Sequence, residues 1–122
     1  MTYAAAHPVD IDHLNRYTGG DVALNDQILR LFDDQCIEIL AKFEGIVQAP
    51  TGSDAAKKWH DTAHSLKGAA RGIGAFALAD IAADVEKLDP TDHSAALKAV
   101  GLLKANAAQV HRFIEDLIGA SR

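Results

Sequence analysis

His64-Ser65-Leu66-Lys67-Gly68-Ala69-Ala70-Arg71-Gly72-Ile73-Gly74-Ala75 is the stretch on which the fold of this chain turns. Wound as a helix, it places Lys67, Gly68 and Arg71, together with the preceding Lys57, His60 and Asp61, within about 60° of His64. Leu66 and Ile73 fall near the opposite side. One face is therefore apolar, and the other carries a histidine flanked by cations, so His64 is expected to face solvent. Glycine inside a helix costs about 1 kcal/mol relative to alanine, and Gly68 stands one turn beyond that histidine. With no side chain there, the approach to the imidazole is clear. A nucleophile left open to a partner protein is one reading of that pattern.

The buried face of this helix reads Ala55, Trp59, Ala63, Leu66, Ala70 and Ile73, in steps of four and three, over about residues 54–73. Pro50-Thr51-Gly52-Ser53 breaks the chain before it, with Ser53 as the expected N-cap, and Gly72 and Gly74 are expected to end it. Upstream, a long helix runs from an Asp21 cap to about Gln48. Its apolar stripe reads Leu24, Ile28, Leu31, Phe32, Ile39, Phe43 and Ile46, with Gln35 as the polar interruption. A short helix over about 9–17 precedes it, capped by Asp10 and stopped by Gly19-Gly20, behind a loosely held lead-in at 1–8. Downstream, a helix over 75–88 turns Leu78, Ile81, Ala82, Val85 and Leu88 inward. Asp89-Pro90-Thr91-Asp92 makes a turn, and a last helix follows with Val100, Leu103, Ala107, Val110, Ile114 and Leu117 on one side. No segment alternates with period two. The expected fold is all-α: one domain spanning 1–122, an antiparallel up-down four-helix bundle over about 20–118 with a short additional N-terminal helix.

Composition agrees. The 122 residues are 48% hydrophobic and 24% charged, which suits one globular domain with a real core. The net charge of −5 is scattered, which argues against an electrostatic nucleic-acid footprint. The single cysteine, Cys36, cannot form an internal disulfide and fits a reducing compartment. The N-terminus has neither the basic nor the apolar region of a signal peptide, and no run approaches a membrane span, so no membrane association and a cytoplasmic location are expected.

The plain reading of the His64 face is a solvated polar stripe. Two details favour a site: Lys67 and Arg71 stand one and two turns along, placed to stabilise an anion on His64, and Gly68 removes the flanking side chain. A neutral imidazole is well populated near pH 7 and serves as a nucleophile towards phosphorus, and flanking cations favour that neutral form. Asp61, one turn earlier, is a candidate to orient the ring. His7, His13, His93 and His111 read as surface or terminal histidines, and Cys36 and the four phenylalanines as core or core-edge, while Ile28 and Leu29 are candidates for core or partner contact.

His-Ser-Leu-Lys-Gly-Ala-Ala, with Ile73-Gly74-Ala75, the upstream Trp59 and Ala63, and later Leu78 and Glu86, resembles the histidine-containing phosphotransfer (HPt) domain family over about residues 20–118. The resemblance implies a monomeric four-helix bundle that carries a phosphoryl group between receiver-domain aspartates in a two-component phosphorelay. It implies His64 as the phosphorylated residue, Lys67 as the aid to the phosphoryl group and Gly68 as the opening for receiver docking. A charge-stabilising role for Arg71 rests on helical geometry alone. The implied partners are response-regulator receivers and an upstream histidine or hybrid kinase. The implied carrier has no kinase activity and no cofactor of its own, the Mg²⁺ coming with the receiver, which accounts for the lack of a Walker-type loop or acidic metal cluster.

Three other readings compete. His60-Asp61-Thr62-Ala63-His64 approximates a metalloprotease motif, which would need a third ligand such as His111 or His93. The phosphoacceptor domain of a sensor kinase has an acid after its histidine and a proline soon after, whereas here Ser65 follows and the next proline is Pro90. A non-catalytic bundle that only docks receivers or kinases would leave His64 incidental. The Met1 start and the lack of a linker favour a free-standing carrier over a piece of a longer kinase.

Overall fold

The Asp10 carboxylate accepts the His13 amide at 3.3 Å and starts α1 (Ile11–Thr18). In the computed structural model, which describes residues 7–49 and 54–120, four further helices follow: α2 (Val22–Gln48), α3 (Ala55–Ile73), α4 (Phe76–Glu86) and α5 (His93–Ala120). There is no strand among the described residues. Gly19 ends α1 in the left-handed region at φ 67°, and Asp21 caps α2 by accepting the Leu24 amide at 3.1 Å. Asp92 caps α5 in the same way through the Ala95 amide at 3.2 Å, after a turn in which Asp89 accepts from the Thr91 amide and hydroxyl. The expected cap at Ser53, like the whole 50–53 turn, lies outside the described residues, as does most of the lead-in. Asp54 precedes α3 without a side-chain cap bond.

α2, α3, α4 and α5 close a ring in which each touches two neighbours and none touches the helix diagonally across. Pairing runs in opposite chain directions: Asp33 of α2 meets His111 of α5, while Glu44, further along α2, meets Lys104, earlier on α5. The core lies inside that ring. Its largest member, Trp59, is fully buried, stands edge-on to Phe43 at 4.9 Å and donates its indole N–H to the Val85 carbonyl at 2.7 Å. The apolar face expected for α3 is its buried face, residue for residue.

The α2 stripe needs correction at its N-terminal half. Asn25, Leu29 and Cys36 are buried, while Leu31 is 62% exposed and Leu24 39%. The cause is α1. Asn25 turns inward to donate to the Asn15 side chain at 2.7 Å and accept from the Thr18 hydroxyl at 2.6 Å, so a polar residue takes a position that hydropathy gives to Leu24. Leu29 is accordingly core, and Leu88, past the end of α4, is 37% exposed rather than inward.

Gly74 joins α3 to α4. It takes φ 89°, and the Ala75 amide reaches back to the Ala70 carbonyl at 2.8 Å, closing the helix end. Its carbonyl accepts the Asp10 amide at 2.9 Å, and a Cβ built there would lie 2.6 Å from the Asp10 carbonyl oxygen. Gly74 is thus required twice over, for the turn and for the seating of α1 on it. Gly72, also expected at the helix end, lies within α3, exposed and with open space where a side chain would go.

Candidate functional site

Only Gly74 and Ala75 separate α3 from α4, so α4 folds straight back along α3. Residues equally far from Ala75 then come side by side: His64 and Glu86 are each eleven positions away (75 − 64 and 86 − 75). Inside the core, the Trp59 indole ties the same two helices together by its hydrogen bond to the Val85 carbonyl. On the outside, His64 Nδ1 stands 3.1 Å from Glu86 Oε1, while Lys67 Nζ donates to Glu86 Oε1 and Oε2 at 3.1 and 2.9 Å.

Exposure grades across the cluster. The side chain of His64 is 66% exposed, that of Lys67 20% and that of Glu86 12%. A carboxylate bridged by an ammonium stays ionised: the Lys67 ammonium first, and the His64 ring second, hold Glu86 below the usual carboxylate range. An ionised carboxylate only accepts, so the nitrogen facing it carries the hydrogen. In the neutral tautomer that this contact selects, the hydrogen sits on Nδ1 towards Glu86 and the lone pair on Nε2, which takes no part in that bond. Glu86 fills the orienting role for which Asp61 was the sequence candidate. Asp61 is engaged elsewhere, with Lys57 at 2.6 Å and His60 Nδ1 at 3.4 Å, and these two partners, Lys57 foremost, hold its carboxyl low.

Gly68 is exposed, and nothing lies within 4 Å of where its Cβ would be, so the surface one turn beyond His64 is flat. Arg71 is exposed two turns along on the same face, without an ion pair among the described residues. The structure thus brings His64 and Lys67 into one bonded cluster with Glu86, and leaves Gly68 and Arg71 beside it without contact. Glu86 was legible only as part of a family resemblance, yet the two-residue turn and equal counting from Ala75 would have paired it with His64.

The metalloprotease reading fails on placement. His111 belongs to the α2–α5 seam, across the ring from His64, and its Nδ1 lies 2.6 Å from Asp33 Oδ2. With Glu115 these two form the one group among the described residues whose ligand atoms all lie within 4.8 Å. Their hydrogen bond accounts for Asp33 and His111, and His93 belongs to no such group.

No curated protein and no solved structure matches the chain. The family model described as Hpt domain does match, over residues 27–119, which takes in α3, α4 and nearly all of α2 and α5. The chain belongs to the Hpt domain family, whose members serve histidine phosphotransfer in two-component systems.

Proposed function

We propose that this chain is the phosphohistidine carrier of a two-component phosphorelay, taking a phosphoryl group from one receiver aspartate onto His64 and giving it to another. The observation that carries this reading is the exposed His64 ring held at Nδ1 by an ionised Glu86, itself clamped by Lys67. The Nε2 lone pair attacks phosphorus. An N–P bond forms while the P–O bond to the receiver aspartate breaks, its electron pair leaving on the carboxylate oxygen. No proton has to depart, because Nε2 carries none. The positive charge that develops on the ring is faced by Glu86 across the Nδ1–H bond. Lys67 spends two of its three N–H donors on Glu86 and has the third for the arriving phosphoryl oxygens. Gly68 leaves room for the docking receiver, and Arg71 adds positive potential. The receiver brings the aspartates and Mg²⁺ that neutralise the phosphoryl group in transit, so this chain works as a carrier with no cofactor and no kinase activity of its own.

We further take the chain to act as a single monomeric domain in the cytoplasm, served by an upstream histidine or hybrid kinase. No helix among the described residues is long and apolar enough to cross a membrane, which agrees with this. Incubation with a receiver charged from acetyl phosphate should place acid-labile, alkali-stable phosphate on the wild-type chain and none on His64→Gln. ATP and Mg²⁺ without a kinase should label neither. Phosphate on His64→Gln, or complete loss of labelling in His60→Gln, refutes the assignment. Receiver binding without transfer would mark a docking module instead.

A further inference from the structure

A second group of chemistry-bearing side chains lies in the seam between α2 and α5, across the ring from His64. Asp33 comes from α2. His111 and Glu115 come from α5, where a spacing of four puts them on one face of the helix. One donor atom from each, a ring nitrogen and two carboxylate oxygens, lies within 4.8 Å of the other two. His111 Nδ1 and Asp33 Oδ2 are paired at 2.6 Å, whereas the Glu115 side chain has neither hydrogen bond nor ion pair among the described residues. Two carboxylates therefore approach each other with one imidazole between them. The neighbouring cations do not answer that charge. Lys104 is paired with Glu44, and Arg112 lines a separate cavity with Pro8, Phe113 and Asp116.

Asp33 and His111 also line a cavity of about 280 Å³, and Cys36 is on its wall. Cys36 is 5% exposed and its thiol has no hydrogen-bond partner among the described residues, so a buried soft donor faces the same space, outside the 4.8 Å set. We propose that Asp33, His111 and Glu115 bind a divalent transition-metal cation, for which zinc is the best fit, and that this ion clips α2 to α5. An imidazole nitrogen suits zinc and its neighbours, whereas calcium and magnesium take oxygen ligands. Donors bound to zinc at about 2.0–2.2 Å stand about 3.0–3.4 Å from one another. The Asp33–His111 pair has to open by less than about 1 Å to accept the ion, and the His111 and Glu115 side chains are exposed and free to turn. The ring binds through its lone pair and keeps its hydrogen on the other nitrogen, and water fills the remaining positions. The clip joins residues 78 positions apart and touches none of those proposed for phosphoryl transfer, so its effect is on stability.

Titration of the chelator-stripped full chain with zinc chloride, read by calorimetry and by melting, tests the site. One zinc should bind here, and zinc at about a hundredfold above the dissociation constant should raise the melting temperature by about 10 °C. Magnesium and calcium at the same concentration should leave it unchanged. Glu115→Gln replaces an exposed side chain without partners, so it should fold normally and bind zinc about tenfold or more weakly. His111→Gln should weaken it at least as much. His60 and His64, also four apart, are the rival zinc ligands, so a His60→Gln/His64→Gln double variant should keep wild-type affinity. No binding, an equal response to magnesium, full affinity in Glu115→Gln and His111→Gln, or loss of affinity in the double variant overturns the proposal. None of these readouts involves phosphoryl transfer, so they stand or fall apart from the carrier reading.

Discussion

In the proposed transfer the chemistry of His64 rests on Glu86, whose charge favours the tautomer with Nε2 free. Glu86→Gln keeps the shape and an oxygen acceptor but removes the charge that favours Nδ1–H and answers the ring's developing positive charge. Charged hydrogen bonds exceed neutral ones by about 1–1.5 kcal/mol, so phosphoryl transfer should slow by about tenfold. The same substitution tests a pH effect. The folded state holds the Glu86 carboxyl below its ordinary value of 4.5 through Lys67 first and His64 second. A depressed carboxyl stabilises the fold above its unfolded value, and that contribution disappears as the pH falls through the lower, folded value. Wild type should therefore lose more stability than Glu86→Gln when melting is compared at about pH 7 and below about pH 4.5. Equal losses in both would mean that the Lys67–Glu86 pair does not support the fold.

Three glycines of one hairpin, the α3–α4 pair, separate the demands of access from those of folding. Gly68 and Gly72 lie inside α3 with nothing within 4 Å of a built Cβ, whereas Gly74 has φ 89° and meets the Asp10 backbone. Gly68→Ala and Gly72→Ala should each raise the melting temperature by about 2–4 °C, following helix propensity. Gly74→Ala should lower stability by about 1–3 kcal/mol, from backbone strain and displacement of α1. Gly68→Gln should leave melting intact yet slow transfer sharply, because its longer side chain would fill the proposed docking surface. Slower transfer with an equally lowered melting temperature would assign Gly68 to the fold. The sequence shows clearly which side of α3 is buried, since Trp59, Leu66 and Ile73 leave the periodicity no choice. It does not separate Gly72 from Gly74, because a glycine near a helix end reads the same in either place until the approach of Asp10 is known. Nor does hydropathy foresee Asn25 turning inward, since its partners Asn15 and Thr18 belong to another helix.

Across the whole molecule, Cys36 reports on the integrity of the ring of helices. It is 5% exposed, and burial first, with nearby Asp33 second, raises its thiol from 9.0 to about 11. Alkylation at about pH 8 should be slow in the native chain and fast in denaturant, in step with global unfolding. The folded state keeps the thiol proton to a higher pH than the unfolded one, so stability should decline as the pH rises above 9. Rapid alkylation of the native chain would show local opening between α2 and α5. The α2–α5 seam stands across the ring from His64, which gives the two-residue turn at Gly74-Ala75 a wider meaning. The residues proposed for the phosphoryl site, His64, Lys67, Gly68, Arg71 and Glu86, all belong to the contiguous segment 64–86. The proposed chemistry would thus occupy one uninterrupted fifth of the chain, one hairpin of the ring.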